Sequence, residues 1–247
     1  MTLTKDDLTR YDRQMRIYGF GAKGQEKLRK SNILVIGVGG LGCAALTYLV
    51  VAGVGHISII DKDTVELSNL NRQVLHWQKD IGRYKVDSAS TKLRQMNPTV
   101  KIDAHPNEVT FPELKKIVGK YDVALDCLDN WESRFALNKA CVETCTPFVH
   151  AGVRGMSGQV TVIKPRKGPC LQCIFPKIPK AEKWPVLGAA PGMLGCIQVI
   201  ETIKLLTGIG DPLIGKILIY DGEASTFFTI KTKRKNNCPT CCNFQRP

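Results

Sequence analysis

Two short apolar runs, each followed by a glycine-rich or polar segment, dominate the first half of the chain. Residues 33–36 and 57–60 are aliphatic except for Ser58, a composition typical of buried strands. Between them, residues 40–52 carry apolar side chains at helical spacing. Weaker strand patterns follow at 100–104 and 123–126, with a helix ending near Met96 and another over 131–145. This alternation predicts a parallel sheet with ligands beyond the carboxyl ends of its strands.

The second half of the chain has a different pattern. Strand-like runs at 159–163, 216–220 and 226–230 are separated by a proline-rich loop over 165–191 and a helix over 192–206. No repeat and no linker of disordered composition interrupts the chain, so we predict one α/β domain over 1–247. Its sheet is continuous and mixed, with a parallel first half and a largely antiparallel second half. The divisions are N-terminal helices over 1–30, a nucleotide-binding half over 31–150, and a second half over 151–247.

Composition and charge narrow the class of protein. Apolar residues make up 43% of the 247 residues, as in an ordinary globular protein, and the formal charge is +13. Such a charge attracts polyanions or acidic proteins, but no nucleic-acid recognition motif is present and we do not expect that partner. We also expect no membrane span, since no window approaches ~20 apolar residues. The polar start is not a secretory signal, which predicts a cytoplasmic protein.

The segment Gly37-Val38-Gly39-Gly40-Leu41-Gly42 lies between the first predicted strand and the first long helix. Glycines allow a backbone to approach a ligand closely, and the amides at the start of a helix favour an anion. The second strand ends in Asp61, at about the distance where a nucleotide-binding unit places its ribose-binding acid. The pattern favours a phosphate-binding turn, and a purely structural tight turn is the alternative.

Two C-x-x-C pairs, Cys170 with Cys173 and Cys238 with Cys241, predict a tetrahedral zinc site. Four thiolates leave no open coordination position, so the zinc would be structural and would clip the C-terminal tail to the loop after residue 169. A redox dithiol and unligated core thiols are the alternatives. Four further cysteines are expected to be packing residues: Cys43, Cys127, Cys141 and Cys196.

A polar segment over 61–73 follows the second strand, with Lys85 and Asp129 further along the chain. Taken alone, this segment is a surface loop. Together with Arg10-Tyr11-Asp12-Arg13-Gln14, the glycine turn, Gly82 to Lys85, Cys127 to Asn130 and both cysteine pairs, it closely resembles the MoeB/ThiF group of ubiquitin-activating-enzyme-like adenylyltransferases. The matching segments extend over nearly the whole chain.

The resemblance implies a homodimer with a Rossmann-like fold that binds ATP and Mg²⁺. Such an enzyme adenylates the C-terminal Gly-Gly carboxylate of a small ubiquitin-like sulfur-carrier protein and releases pyrophosphate. The second half of the chain, 151–247, would bind the carrier. A carboxylate that attacks the α-phosphate needs fixed cations and a metal to offset charge repulsion, but no general base. His56, His76, His105 and His150 are therefore expected to be structural or surface residues.

The resemblance also implies roles for individual residues. Asp61 would bind the ribose, and Asn69, Arg72 and Lys85 would clamp the triphosphate. Asp129 would hold magnesium with Asn130 beside it, and Arg13 would reach the partner subunit's site. The catalytic residues are then Arg13, Arg72, Lys85 and Asp129. The remaining nucleotide-binding residues are Gly37, Gly39, Gly40, Gly42, Asp63, Ser68 and Gln73.

One departure from the family concerns the loop over 174–190, where many relatives carry a cysteine that accepts the activated carrier. This loop contains none, and the corresponding place falls near residues 181–184. We predict that catalysis stops at the acyl-adenylate or that a separate sulfurtransferase supplies the sulfur, since the chain ends just after the second cysteine pair. Cys196 or Cys127 could substitute, but apolar settings suggest inert thiols. Adenylation of a small molecule or modified tRNA base, and a catalytically silent ATP-binding subunit, are alternative functions.

Overall fold

The computed structural model describes residues 3–108, 110–177 and 184–242. Its helices and strands alternate along most of the first half and confirm the predicted α/β class. In chain order they are α1 (Lys5–Arg10), α2 (Asp12–Met15), α3 (Gly21–Lys30), β1 (Asn32–Ile36), α4 (Gly40–Val51), β2 (His56–Ile60), α5 (Lys85–Met96), β3 (Lys101–His105), α6 (Phe111–Ile117), β4 (Val123–Asp126), α7 (Trp131–Thr144), β5 (Phe148–Arg154), β6 (Ser157–Ile163), α8 (Leu171–Ile174), α9 (Ala189–Thr207), β7 (Lys216–Asp221) and β8 (Thr226–Lys231).

All eight of these strands form one sheet in the order β3-β2-β1-β4-β5-β6-β7-β8. Strands β1 to β5 pair in parallel, and β5 to β8 pair antiparallel. This confirms the continuous mixed sheet, but the sequence pattern missed β5, the strand at which the direction changes. His150, Gly152 and Arg154 interrupt the apolar run in that strand, so it lacks the composition on which the prediction depends.

The central strand β1 is buried on both faces, as parallel strands between helical layers are. Ile33 and Val35 contribute to the core under α4, α5 and α9, and Leu34 and Ile36 contribute to the core under α6, α7 and α8. None of these four side chains is more than 1% exposed. The two cores fix the sheet between the helices and direct the ends of its parallel strands to one edge.

Among the described residues, one helix, α9, is long and apolar enough to cross a membrane by length and composition alone. The prediction that no segment is this apolar is therefore wrong for residues 189–207. The helix packs against α4, β5 and β6, and its buried Gln198 donates hydrogen bonds to the carbonyls of Asp126 and Val149 at 2.9 and 3.0 Å. These contacts explain the apolar composition, because α9 lines the larger core.

Close packing of α9 on α4 depends on a glycine, Gly195, in α9. A Cβ added at Gly195 would lie 2.6 Å from the carbonyl oxygen of Leu41 and 3.0 Å from the Cβ of Ala44. An added Cβ at Gly192, one turn earlier, would meet nothing within 4 Å. The two glycines of this helix are therefore a matched pair that differ in the space around them.

We predict that Gly195→Ala lowers the free energy of unfolding by about 1–3 kcal/mol, because α9 must move away from α4. Gly192→Ala should raise it by up to about 1 kcal/mol, since alanine is the better helix former. Urea denaturation of both variants measures the difference. Equal effects of the two substitutions would contradict the packing argument.

Candidate nucleotide site and zinc centre

Three of the predicted site segments leave neighbouring strands at the same edge of the sheet. In the register of the sheet, Ile36 at the end of β1 lies beside Ile60 of β2 and Asp126 of β4. The segments that follow carry the glycine turn, Asp61 and Asp129 respectively. The structure therefore brings these three segments together, as the sequence predicted.

Most glycines of the turn are required by packing. Gly37 has a φ of +96°, and a Cβ there would lie 2.4 Å from the carbonyl oxygen of Cys127. A Cβ at Gly42 would lie 2.0 Å from the carbonyl oxygen of Gly37, and one at Gly40 would lie 2.9 Å from the Cγ of Pro191. These glycines let the turn, β4 and α9 approach one another.

Gly39 is the exception, because the nearest atom to an added Cβ is the side-chain nitrogen of Gln73 at 3.8 Å. Gly39 caps α4 with extended backbone, and no side chain caps this helix. The first amides of an uncapped helix favour an anion. The open space beside Gly39 is where a phosphate could approach the turn.

The carboxylate of Asp61 connects the glycine turn to the end of β2. Its Oδ2 accepts a hydrogen bond from the amide of Val38 at 2.7 Å, and its Oδ1 accepts one from the amide of Asp63 at 2.8 Å. Burial raises the pKa of this carboxyl, and the nearby Lys85 ammonium opposes that rise. Each oxygen can accept a further bond, so the carboxylate could still take ribose hydroxyls while it holds the turn.

The loop between β2 and α5 closes on itself and lines a polar cavity of about 350 Å³ that is open to solvent. Thr64 pairs with Tyr84 in a short antiparallel bridge, and the amide of Lys85 donates to the carbonyl of Asp63 at 2.9 Å. The cavity is lined by Lys62, Asp63, Thr64, Glu66, Asn69 and Lys85. Asp63, Asn69 and Lys85 were predicted as site residues. The other three were missed, although they directly follow the strand that ends in Asp61.

Lys85 is the buried cation of this cavity. Its side chain is 8% exposed, and its Nζ donates to Oδ2 of Asp63 at 2.7 Å, whereas the Asp63 side chain is 51% exposed. A phosphate entering the cavity would meet an ammonium whose position is set by burial and whose carboxylate partner is free to move. Lysine supplies a point charge of this kind in phosphate sites.

The remaining predicted residues of the loop differ in burial and in the groups that they contact. Asn69 is buried, and its Oδ1 accepts from the amide of Glu66 at 3.1 Å, so it holds the turn. Arg72 is half-buried and its guanidinium donates to the carbonyl of Ser68 at 2.8 Å and to Oδ1 of Asn71 at 2.9 Å. Ser68 itself is exposed and donates to Glu66.

Gln73 carries a buried polar atom that needs a partner. The residue is 4% exposed, and its Oε1 has no hydrogen-bond partner among the described residues. Its amide lies against the open side of Gly39. The atom nearest the open space beside Gly39 is therefore the side-chain nitrogen, which is a hydrogen-bond donor and could contact a phosphate oxygen.

Asp129 is exposed at the end of the segment after β4, where the carboxylate could bind magnesium. Asn130 is already engaged, because its Oδ1 accepts from the amide of Ser133 at 2.9 Å and caps α7. Mg²⁺ usually takes one or two carboxylates plus substrate phosphates. The exposed carboxylates of Asp129 and Asp63 would supply that set at this edge of the sheet.

Arg13 lies away from the site of its own chain. It is exposed on the short helix α2, whose Gln14 donates to the carbonyl of Ala52 at 2.9 Å. The adjoining Tyr11 accepts a hydrogen bond from Asn97 at 2.8 Å. Ala52 and Asn97 follow the last turns of α4 and α5, at the sheet edge opposite the strand ends of the site. Within one chain, Arg13 is not brought to the nucleotide site.

The histidines and the isolated cysteines are structural where they are buried. His150 is fully buried and its Nδ1 lies 2.6 Å from Oδ2 of Asp126, a pairing that sequence reasoning missed. His76 is also buried and hydrogen-bonded. Burial raises the pKa of Cys127 and Cys141 well above the usual range of a thiol. Both thiols stay protonated, as expected for packing residues.

The four paired cysteines converge on one point. Their sulfur atoms all lie within 4.8 Å of one another, with Sγ separations of 3.5 Å for Cys170 and Cys238, 3.5 Å for Cys173 and Cys241, and 3.9 Å for Cys170 and Cys173. A tetrahedron with Zn–S bonds of about 2.3 Å has edges of about 3.8 Å. The donor set and its dimensions therefore fit zinc, which would fasten the segment at 238–241 to α8.

Comparison with known proteins places the chain in a family. The model of the ThiF family matches residues 11–240. The adenylyltransferase and sulfurtransferase MOCS3-1 of Drosophila pseudoobscura pseudoobscura is 43% identical over 246 residues, which cover 97% of this chain and 54% of that protein. MOCS3 of Culex quinquefasciatus is 39% identical, covering 97% of this chain and 56% of that protein. The chain thus spans about half the length of the curated relatives it matches.

Solved structures share the fold at lower identity. The crystal structure of E. coli MccB with AMPCPP and MccA has a TM-score of 0.87 and 22% identity, covering 98% of this chain and 75% of that one. The structure of E. coli MccB with ATP has a TM-score of 0.81 and 20% identity, covering 97% and 82%. At this identity the likeness establishes the fold.

We predict about one zinc per chain by metal analysis of the purified protein, because four convergent thiols match the ion. Cys173→Ser should lower that content and make the segment around 238–241 sensitive to protease, since metal binding and local folding are coupled. Cys145→Ser, at an exposed cysteine outside the cluster, is the matched control. A metal-free protein with an equally protected tail would contradict the assignment.

Proposed function

This chain belongs to the ThiF family, and we propose that it is an ATP-dependent adenylyltransferase for a small ubiquitin-like sulfur-carrier protein. It activates the C-terminal Gly-Gly carboxylate of the carrier, forming an acyl-adenylate and releasing pyrophosphate. The observation that carries the proposal is the buried Lys85 in a polar cavity that adjoins Asp61 and the open glycine turn. A desolvated cation beside uncapped helix amides suits a polyphosphate.

Different residues have different roles in the proposed reaction. The amides at Gly39 and the Lys85 ammonium hold phosphate oxygens, and Arg72 exchanges its two contacts within the loop for the forked contacts that guanidinium makes with phosphate. Asp61 binds the ribose. The attacking carboxylate is ionised at neutral pH and needs no base, so the chain must mainly offset charge repulsion and stabilise the leaving pyrophosphate. Magnesium held by Asp129 would neutralise further phosphate charge.

Sulfur transfer is a separate question. The names of the curated relatives join adenylyltransferase to sulfurtransferase, and this chain spans about half of their length. Its loop over 174–190 has no cysteine that could take the activated carrier, and residues 178–183, including most of the place where the family carries it, lie outside the described residues. We therefore propose that catalysis by this segment stops at the acyl-adenylate, or that the sulfur comes from a sulfurtransferase outside this loop.

Assembly and location are part of the same proposal. A homodimer would let Arg13 serve the partner subunit's site, which agrees with its position at the opposite sheet edge of its own chain. A cytoplasmic location agrees with the unpaired state of the cysteines outside the zinc cluster, because a reducing compartment keeps thiols unpaired. The basic charge of +13 would favour a carrier whose surface is acidic.

We predict ATP-pyrophosphate exchange that depends on a cognate carrier ending in Gly-Gly and is lost when the last glycine is removed. Lys85→Met should lower exchange by roughly two to three orders of magnitude, the scale for losing a charge contact to the transition state. Lys79→Met, at an exposed lysine in the same loop, is the matched control. Exchange without a carrier, or unimpaired exchange in Lys85→Met, would refute the proposal, and carrier-free adenylation of a tRNA would favour the alternative enzyme.

We predict that Arg13→Ala is as inactive as Lys85→Met, but that mixing the two variants restores activity. In a mixed dimer one site has an intact lysine and receives Arg13 from the partner, so an equal mixture should recover about a quarter of wild-type exchange. Arg16→Ala, at an exposed arginine that pairs with Asp12, should be fully active alone. No recovery on mixing would contradict the role in trans.

A further inference from the structure

The peptide units on both sides of Val38 are held by side chains. The amide of Val38 donates to Oδ2 of Asp61 at 2.7 Å. The carbonyl oxygen of Val38 lies 3.0 Å from Nε2 of His76 and also accepts from Sγ of Cys43 at 3.5 Å, but a thiol is a weak donor, so His76 makes the stronger contact. His76 is 3% exposed and belongs to the loop that also supplies Gln73. The proposed mechanism assigns His76 no role, although it contacts the phosphate-binding turn directly.

The partners of His76 determine which ring nitrogen carries the proton. A carbonyl oxygen can only accept, so Nε2 must donate to Val38. Burial lowers the pKa of His76, with Lys92 and Lys85 contributing in the same direction, and the ring is therefore neutral. A neutral ring with its proton on Nε2 has Nδ1 as an acceptor, and Nδ1 lies 3.0 Å from the hydroxyl of Ser88.

A buried ion pair sets the direction of that hydroxyl. The ammonium of Lys92 can only donate, and it donates to the Ser88 hydroxyl oxygen at 3.0 Å. Asp80 binds Lys92 and accepts from the amide of Trp77 at 2.9 Å, and the Ser88 hydroxyl also lies within reach of its carboxylate. Asp80 therefore has other donors, whereas Nδ1 of a neutral His76 that donates from Nε2 depends on the Ser88 hydroxyl proton. Donation thus runs in one direction, from Lys92 through Ser88 and His76 to the Val38 carbonyl.

The consequence for the turn follows from peptide geometry. The Val38 carbonyl and the Gly39 amide belong to one planar trans peptide, in which the C=O and N–H bonds point in opposite directions. Holding the carbonyl toward buried His76 therefore points the Gly39 N–H to the open side of the turn. Without that bond, a peptide preceding glycine can rotate easily, and a reversed peptide would present an oxygen to an incoming phosphate.

We propose that His76 is a positioning residue that orients the Gly39 amide toward a nucleotide phosphate, with Ser88, Lys92 and Asp80 fixing its tautomer. The inference rests on the proposed function, because it requires a nucleotide at the turn. A buried histidine would then contribute to ATP affinity without contacting ATP directly.

The test compares two amide side chains at position 76. In His76→Gln the side-chain nitrogen reaches the position of Nε2 and can still donate to Val38. In His76→Asn the side chain reaches only the position of Nδ1, so it keeps Ser88 and loses Val38. Calorimetric titration with ATP should show about tenfold weaker binding for His76→Asn, the loss of roughly one hydrogen bond. His76→Gln should stay within about threefold of wild type.

Exchange kinetics distinguish orientation from general damage to the fold. His76→Asn should raise KM for ATP by about the same factor as the dissociation constant, with kcat changed by less than about threefold. The control is His56→Asn, at the start of β2, where His56 lies 2.7 Å from Asp103 at the opposite sheet edge. It should leave KM for ATP unchanged. Equal ATP affinity in His76→Asn and His76→Gln would overturn the inference.

A second measurement does not need a variant of His76. Nitrogen-15 NMR of the wild-type protein should place the His76 proton on Nε2, and Ser88→Ala should weaken that preference. A proton on Nδ1 in the wild type would overturn the inference even if His76→Asn failed to fold. If the wild type binds ATP but the two amide variants do not differ, only this inference fails. If the wild type does not bind ATP, the proposed function fails with it.

Discussion

The hydrogen bond from the Val38 amide to the Asp61 carboxylate joins the ends of β1 and β2, and the geometry of the candidate site is built around it. The register of the sheet places these ends side by side. The same carboxylate also accepts a hydrogen bond from the amide of Asp63, at the start of the loop that lines the cavity. Because this acid is partly desolvated, and nearby Lys85 offsets part of that cost, the turn and the cation are coupled through one group.

Sequence reasoning could place the segments of the candidate site together because the features that define them are local. A short apolar run ends at Ile36 and another at Ile60, and parallel strands of similar length end at the same edge. The residues that follow could thus be brought together without knowing the fold in detail. By contrast, the pairing of His150 with Asp126 and of His76 with Val38 joins residues 24 and 38 positions apart. No period or spacing in the sequence signals such contacts.

Local sequence patterns also did not distinguish residues that are required by packing from residues that could contact a ligand. Gly37, Gly40 and Gly42 match a phosphate-binding motif, yet each is required by packing, and among the glycines of the turn Gly39 faces open space. Asn130 lies beside the predicted magnesium ligand, but its side chain caps α7. Strand β5 was missed because His150, Gly152 and Arg154 interrupt its apolar run, and His150 is polar at a buried position because it pairs with Asp126. A motif therefore identifies a segment more reliably than the role of each residue within it.

The pair of Lys85 and Asp63 shows how the site can hold a cation in position for a phosphate. An unpaired buried ammonium would be costly, and Asp63 removes that cost at a separation of 2.7 Å. Asp63 is half exposed and Lys85 is buried, so the carboxylate can turn toward water while the lysine stays in place. An arriving triphosphate can then replace Asp63 as the partner of Lys85. The released carboxylate would lie at the same strand edge as Asp129, where a metal ion bound to the phosphates would attract it.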